Sequence, residues 1–441
     1  MTLFLAGCAG FPPIELRLGA GGGIAPAPHS GMIAADEPQA ALAAQNLLLA
    51  GGNAADAAVA LALSLTVTLP SSAGLGGGGA CLVHDAVSGT TEALDFVPRA
   101  SADHGAARFR AAVPALARGL FALHAKYGAR PWPQVVAPAE NLARFGHPVS
   151  RALARDLAGD GAHLIDDRNA LRAFMTPRRQ ILQAGESFRQ IDLATVLGRV
   201  RARGPGEFYA GALGRDVEDA IAAAGAVITA QDLRATLPQW IQAVGVDKGT
   251  IRLFALPAVL GGDDLMAALE HTDVDQDASD DTVAGATSFV VADAAGGVVA
   301  CALTMGRPFG LGIMPAGTGF LLAPAPDAPV PGGLTADAPQ LAPVIGINHV
   351  NNRMVFAVAA AGSRAVTESA AAARALSIGQ QTPTHVAKTI GEKKGGAGGT
   401  GRRSSLLNML ACKADESALT VCYAEHDPRG AGYALRLGTR G

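Results

Sequence analysis

Aromatic residues make up only 5% of this 441-residue chain, although hydrophobic residues make up 49% of it. Small aliphatic side chains must therefore form most of the core, and they favour close packing of helices against sheets. No run of eighteen or more apolar residues occurs, so we expect no transmembrane helix. The formal net charge is only −3 with mixed signs, which argues against a nucleic-acid surface and favours a small-molecule site.

Motifs of several common site classes are also missing. No G-x-S-x-G sequence marks a serine nucleophile, and the histidines and cysteines lack the spacing of zinc ligands. The run Gly74–Gly79 formally contains G-x-G-x-x-G, but a predicted helix precedes it and a strand follows it, the reverse of a dinucleotide-binding loop. We therefore expect no metal and no cofactor, and we interpret these glycines as positions where the backbone packs too closely for side chains.

The five cysteines bear on disulfides and on compartment. Cys412 and Cys422, ten residues apart, are spaced for a small disulfide loop, whereas Cys81 and Cys301 lie in apolar runs and are expected to be buried free thiols. Cys8 follows a Leu-Ala-Gly sequence similar to the lipidation box of bacterial lipoproteins, although the preceding segment is short and lacks a basic region. A lipid-anchored protein of the periplasm or cell envelope is one interpretation, and a chance match is the other. Export would make a disulfide chemically reasonable.

The predicted elements begin after a Gly/Pro/Ala-rich, aperiodic lead-in over residues 1–30. A helix that starts near Asn53 is apolar nearly all round, which predicts a fully buried core helix. The predicted elements are, in order, a strand (32–34), two helices (39–50 and 53–68), a mainly helical region (113–240) and a strand pair joined by a Gly-rich turn (288–304).

Segments spread over nearly the whole chain form a characteristic series. They are Gly31–Ala34, Gly51–Ala60, Gly76–Gly79, Leu94–Phe96, Phe208–Gly211, Val291–Thr304, Gly317–Gly319, Gly362–Arg364 and Asp427–Gly430. In this order they resemble the gamma-glutamyltransferase (gamma-glutamyltranspeptidase) family of N-terminal nucleophile hydrolases.

The resemblance implies an α+β fold, a four-layer αββα sandwich, in a chain that cuts itself near its middle. Residues 31–286 then correspond to the large subunit and residues 287–441 to the small subunit, and 31–441 form one intertwined globular domain. The new N-terminal Thr is the nucleophile, and its own α-amine is the base. The implied partners are these two subunits and a small gamma-glutamyl substrate of the glutathione type, whose acyl group passes to water or to an amino acid.

The position of the nucleophile depends on the alignment of Gly285–Phe289, which reads Gly-Ala-Thr-Ser-Phe. The family motif has two Thr, a His, an aromatic residue and a Ser. A shift of one residue at the strand start makes Thr287 the nucleophile, supported by Thr304 in the neighbouring strand. Without a gap the nucleophile falls on Ala286, which has no oxygen, and the chain is then an inactive, unprocessed relative with a binding or scaffolding role. Thr287 is in that case a Thr at a strand edge whose hydroxyl bonds the backbone of its neighbour.

The resemblance also implies a substrate site, and several of its residues differ here from the family pattern. Val97 replaces the Arg that clamps the substrate α-carboxylate, and we predict that Arg99 substitutes for it, the alternative being a solvated turn residue. Asp327 is the remaining acid for the substrate ammonium group, and Thr335 stands at the first position of a Ser pair. Backbone amides near Gly362 are the expected oxyanion hole. The lost polar groups predict weaker binding of ordinary gamma-glutamyl groups.

Overall fold

The computed structural model describes residues 31–102, 107–270, 285–326, 340–377, 381–392, 405–414 and 420–438. The predicted lead-in over residues 1–30, with Cys8, lies outside these residues.

In chain order, the strands of the described residues are β1 (Gly31–Ala35), β2 (Gly78–Asp85), β3 (Thr90–Phe96), β4 (Arg99–Ala100), β5 (Ala112–Val113), β6 (His147–Pro148), β7 (Ser187–Phe188), β8 (Gln239–Gln242), β9 (Val244–Lys248), β10 (Ile251–Ala255), β11 (Gly285–Asp293), β12 (Val298–Gly306), β13 (Gln340–Leu341), β14 (Val344–Asn348), β15 (Arg353–Gly362), β16 (Ser405–Ala414), β17 (Thr420–Glu425) and β18 (Tyr433–Leu437).

The helices of the same residues are α1 (Pro38–Leu49), α2 (Ala54–Thr68), α3 (Leu116–Tyr127), α4 (Trp132–Phe145), α5 (Arg151–Asp160), α6 (Arg168–Ala173), α7 (Ile191–Arg203), α8 (Gly206–Tyr209), α9 (Ala212–Ala223), α10 (Ala230–Ala235), α11 (Gly262–Glu270), α12 (Ala365–Ser377) and α13 (Pro383–Glu392), with 3-10 turns at Gly161–Asp166 and Ala258–Leu260. The predicted helical region over 113–240 is confirmed by α3 to α10.

Two large antiparallel sheets form the centre of the molecule. Seven described strands make the first sheet in the order β18-β1-β11-β12-β2-β3-β8. The second sheet has the order β17-β16-β15-β14-β10-β9, with β13 paired to β15. Strands from both sides of residue 287 take part in each sheet, so neither half of the chain forms either sheet alone.

The two sheets pack face to face and each carries helices on its outer face. β11 contacts β15 and β16 of the other sheet, α1 and α2 pack on the first sheet, and α12 packs on the second. Alternation along β11 divides its side chains between the layers. Phe289 and Val291 belong to the helix-facing core, whereas Val290 and Ala292 share a core with Ala359 of the second sheet. The layers are therefore αββα, which confirms the predicted α+β sandwich.

The helix α2 lies in the core of the first half. Asn53 caps it by accepting a hydrogen bond from the Asp56 amide, and the Asp56 carboxylate accepts one from the Asn53 amide, which completes a capping box. Every residue of α2 is buried, as its apolar surface predicts. Gly51 follows the end of α1 with φ 83°, a left-handed backbone conformation that favours glycine. Local sequence was sufficient to predict this pair of helices.

The pairing of neighbouring strands tests the disulfide predicted at Cys412 and Cys422 and the free thiols predicted at Cys81 and Cys301. Cys412 and Cys422 lie opposite each other in β16 and β17 and form a disulfide, which confirms that prediction. The expectation of free thiols at Cys81 and Cys301 is wrong, because these residues also form a disulfide. They are register partners in β2 and β12, a long-range pairing that no local pattern reveals.

Candidate functional site

The strands around β11 terminate together at one edge of the first sheet. In the ladders Ala286 lies opposite Thr304, Thr304 lies opposite Gly78, and Gly79 lies opposite Phe96. Neighbouring strands are about 4.8 Å apart, so four strand ends meet within roughly 15 Å. This edge holds the predicted nucleophile, its predicted supporting residue and the glycine run.

Thr287, the predicted nucleophile, is the third residue of β11 and is only 1% exposed. Its register partner is Leu303, a residue of the helix-facing core, so its side chain lies on that face of the sheet. The Thr287 hydroxyl donates a hydrogen bond of 2.7 Å to Oδ2 of Asp36. Gly285 and Ala286 precede Thr287 in the same strand.

Asp36 was not identified as a site residue from the sequence. It follows β1 directly and is almost completely buried. Its Oδ2 also accepts from the Ser288 amide at 3.2 Å, and its Oδ1 accepts from Nδ2 of Asn408 at 2.8 Å. Burial raises the pKa of the Asp36 carboxyl, and the bonds from Thr287, Asn408 and Ser288 oppose that rise. The only sequence signal was an acid placed immediately after an apolar strand.

Ser288 lies on the other face of β11 and joins the two sheets. Its hydroxyl donates to the backbone oxygen of Ala359 in β15 at 2.8 Å. Nδ2 of Asn408, in β16, lies 3.0 Å from both the carbonyl oxygen and the hydroxyl of Ser288. Asn408 therefore connects Asp36 to the second sheet, and the Thr287 end of β11 is held from both sides.

Thr304 is beside Ala286 rather than beside the Thr287 side chain. Register partners in an antiparallel pair share a face, and the next residue along the strand points to the opposite one. The Thr304 hydroxyl accepts from the Gly306 amide at 2.8 Å and is 3.3 Å from the Gly285 carbonyl oxygen. The structure thus brings the two predicted catalytic residues into adjacent strands but onto opposite faces.

The glycine run is explained by close backbone packing. A Cβ at Gly76 would lie 2.2 Å from the Leu321 carbonyl oxygen, and one at Gly78 would lie 2.1 Å from that of Phe96. At Gly77 the corresponding distance to the Thr304 oxygen is 2.3 Å. These positions exclude any side chain, as the sequence interpretation proposed.

Of the predicted substrate-binding residues, Arg99 and Gly362 are described. Arg99 is 57% exposed at its side chain, and its NH2 donates to Oδ2 of Asp95 at 2.5 Å. Gly362 is the last residue of β15, with φ 132°, and pairs with Gln340 on one side and Ser405 on the other. These positions do not test the predicted roles of Arg99 and Gly362 in substrate binding, and both roles stay predictions.

The other two predicted substrate-binding residues, Asp327 and Thr335, lie outside the described residues. Within the described part of the chain, no group of three or more His, Cys, Asp or Glu residues is arranged to hold a metal ion. No helix in that part is both long and apolar enough to span a bilayer.

A buried ion cluster supports the strands that follow Gly362. Arg429 donates to both carboxylate oxygens of Glu368 at 2.8 Å and also to Asp427. The Ser405 hydroxyl, on the residue paired with Gly362, donates to Glu368 at 2.7 Å. The Asp-Pro-Arg-Gly segment noted in the sequence thus anchors β16 and α12, which is a structural role.

Comparison with known proteins assigns the chain to a family. The family profile described as gamma-glutamyltranspeptidase matches residues 40–281, more than half of the chain. Glutathione hydrolase 3 of Arabidopsis thaliana is 30% identical over 246 residues, which cover 53% of this chain and 38% of that protein. The glutathione hydrolase proenzyme of Escherichia coli is 33% identical over 222 residues, 46% of this chain and 38% of that protein. The matched region thus spans less than half the length of these relatives.

Solved structures agree in fold. The cephalosporin acylase of Bacillus halodurans superposes with a TM-score of 0.72 over 97% of this chain and 99% of that chain, at 18% identity. The gamma-glutamyltranspeptidase of Helicobacter pylori gives a TM-score of 0.50 at 27% identity, over 54% of this chain and 74% of that chain. The profile match ends at residue 281, before β11 begins at Gly285. On the profile match and the shared fold, this chain belongs to the gamma-glutamyltranspeptidase family.

Proposed function

We propose that this protein is a gamma-glutamyl amidohydrolase and acyltransferase of the glutathione-hydrolase type, which cuts itself between Ala286 and Thr287. The observation that carries the proposal is a hydroxyl, that of Thr287, at the start of β11 on the edge where four strand ends meet. Membership of the family supports the reaction class, because curated relatives in Arabidopsis thaliana and Escherichia coli are named glutathione hydrolases, and the Escherichia coli protein is named a proenzyme.

The burial of Thr287 agrees with an uncut precursor. Gly285 and Ala286 precede it in the same strand, and Gly285 is packed so closely that a Cβ would lie 1.9 Å from the Arg307 carbonyl oxygen. Cleavage frees these two residues from Thr287. Their departure exposes both the α-amine and the hydroxyl of Thr287 at the sheet edge, which is what an N-terminal nucleophile requires.

The acyl transfer then needs only this residue as nucleophile and base. Oγ1 of Thr287 attacks the gamma-carbonyl carbon of the substrate, and the α-amine takes the hydroxyl proton. The leaving amine departs with a proton and a gamma-glutamyl ester remains on Thr287. Water or the amine of an amino acid attacks that ester and releases the product, which restores the hydroxyl.

We assign the remaining roles on the family pattern. Arg99 holds the substrate α-carboxylate. The contact with Asp95 uses one nitrogen of a guanidinium that carries five N–H donors, so Arg99 has further donors to offer a carboxylate. Asp327 and Thr335 contact the substrate ammonium side, and backbone amides near Gly362 stabilise the oxyanion. Thr304 supports the start of β11 through the hydrogen bond that its hydroxyl donates to the Gly285 carbonyl oxygen.

We also propose export to the periplasm or cell envelope, with Cys8 as a lipid anchor. Two disulfides among the described residues support an oxidising compartment, because such bonds are rare in reducing cytosol. Intact mass of the protein from a bacterial host tests the anchor, which requires a mature chain that begins with a lipidated Cys8. A mature chain that retains Met1 would contradict it.

A second candidate function is favoured by one specific observation. Ala286, not Thr287, lies opposite Thr304 and on the face toward the second sheet. If that position is the one that the family uses for its nucleophile, the hydroxyl is lost, and the protein is an unprocessed relative that binds or scaffolds in the cell envelope. Introduction of a hydroxyl by Ala286→Thr would then start self-cleavage that the native chain lacks.

Denaturing gels distinguish the two candidates. The sample must be reduced, because the Cys81–Cys301 disulfide would hold the two fragments together after a cut before Thr287. The proposed enzyme gives two bands and releases the chromophore from a gamma-glutamyl anilide. A single full-length band after long incubation, with no chromophore released, would support the inactive relative instead.

A further inference from the structure

The carboxylate of Asp36 is the group that contacts the proposed reacting oxygen. Its Oδ2 lies 2.7 Å from Oγ1 of Thr287, close enough to receive the hydroxyl proton directly. Asp36 is 2% exposed and comes from a distant part of the chain, at the end of β1. Its placement depends on the pairing of β1 with β11, in which Ala35 lies opposite Phe289.

We propose that Asp36 is the general base for the cut before Thr287. This inference rests on the proposed function, since it concerns the step that creates the N-terminal nucleophile. The role ends when the α-amine of Thr287 is released, because that amine is then the base for acyl transfer.

The step balances without any further reactant except water. Asp36 takes the proton of the Thr287 hydroxyl while Oγ1 forms a bond to the carbonyl carbon of Ala286. The bond between that carbon and the Thr287 nitrogen breaks, and Asp36 returns the proton to the nitrogen. The product is an ester between Ala286 and Thr287, which water hydrolyses to a carboxylate on Ala286 and a free hydroxyl and amine on Thr287.

The surroundings of Asp36 fit this role. Donors from the Ser288 amide and Asn408 fix the carboxylate in one orientation, so the base does not have to be positioned during the reaction. Burial raises the pKa of the carboxyl, which makes its ionised form a stronger base than an exposed carboxylate. The negative charge of Asp427, in the second half of the chain, also raises the pKa of Asp36. Asp427 itself accepts a hydrogen bond from Arg429.

The neighbouring acid offers a matched control. Glu37 is the next residue, is equally buried, and has a pKa that burial also raises. Its Oε2 accepts from the Ala40 amide at the start of α1, a capping contact at the helix rather than at Thr287. A variant at Glu37 therefore removes a buried ionisable group next to Asp36 while the proposed base is kept.

The test compares the rate of self-cleavage in full-length variants. Wild type, Asp36→Asn and Glu37→Gln are purified before processing is complete and followed on reducing gels. We expect Glu37→Gln to cleave at a rate close to wild type and Asp36→Asn to cleave at least about 100-fold more slowly. Circular dichroism and urea unfolding establish that each variant is folded.

Each outcome has a defined meaning. If wild type cleaves before Thr287 and a folded Asp36→Asn variant cleaves equally fast, the base assignment is wrong and the proposed function stands. If wild type does not cleave, the proposed function fails and the assignment of Asp36 falls with it. If Asp36→Asn does not fold, Asp36→Glu replaces it, and cleavage by that variant at the wild-type rate overturns the assignment, since an added methylene displaces the carboxylate from its 2.7 Å contact.

Discussion

At the scale of single residues, two adjacent positions in β11 differ in what they can do. Ala286 has no oxygen, and Thr287 has a hydroxyl that is bonded to a buried carboxylate at 2.7 Å. Because alternate strand residues point to opposite faces, the two positions cannot substitute for each other without a change of register. The proposed self-cleavage and acyl transfer therefore depend on one hydroxyl and on the peptide bond that precedes it.

Removal of that hydroxyl should abolish both processing and turnover. We expect Thr287→Ala to remain full length on reducing gels and to lose gamma-glutamyl anilide hydrolysis by at least about three orders of magnitude, because the nucleophile is absent. Thr287→Ser keeps an oxygen and should retain cleavage. Band intensities and initial rates measure the two effects.

Thr66→Ala is the control for this substitution. It removes another buried threonine hydroxyl, which donates to the Leu63 carbonyl oxygen within α2, and should leave cleavage before Thr287 intact. Processing of Thr287→Ala at the wild-type rate would exclude Thr287 from the mechanism.

At the scale of elements, the glycine run fixes how β2 approaches β3 and β12. We expect Gly78→Ala to lower the free energy of unfolding by about 3 kcal/mol, because its Cβ would lie 2.1 Å from the Phe96 backbone oxygen and backbone must move. Gly159→Ala in α5 has no atom within 4 Å of the added methyl and should be neutral or stabilising by up to about 1 kcal/mol. Urea unfolding of both variants measures the difference, and equal stabilities would contradict this packing.

The start of α1 provides a pH-dependent test. Burial raises the pKa of Glu37, so the folded protein holds the proton more tightly than the unfolded chain does. Its contribution to stability is fully present below the ordinary value of about 4.5 and is lost as the pH rises through the raised pKa. Glu37→Gln does not titrate, so its free energy of unfolding relative to wild type should increase with pH by about 1.4 kcal/mol per unit of pKa shift. A difference that stays constant from pH 4 to pH 8 would contradict the assignment.

Elements that depend on local sequence could be predicted, whereas contacts between distant elements could not. Two local features were indicated by the sequence. One is the start of α2 at the capping box of Asn53 and Asp56, and the other is the disulfide loop between Cys412 and Cys422. The contact of Asp36 with Thr287 joins residues 251 positions apart, and it follows from the pairing of β1 with β11. The Cys81 disulfide spans 220 positions and was missed for the same reason.

At the scale of the whole molecule, the two halves of the chain are interleaved in both sheets and are also joined by a covalent bond. The cut before Thr287 would separate the chain into two pieces, yet Cys81 and Cys301 lie on opposite sides of it and are bonded. The site edge likewise draws Gly78 from one half and Thr304 from the other. We therefore expect the processed protein to remain one unit.

Peptide mapping by mass spectrometry tests the central claim most directly. The purified protein is digested before and after reduction, and the peptides that cover Gly285 to Phe289 are identified. We predict a peptide with a free α-amine at Thr287, released as a separate fragment only when the bond between Cys81 and Cys301 is reduced. A peptide that runs unbroken through Ala286 and Thr287 in protein that has been fully incubated would contradict the account.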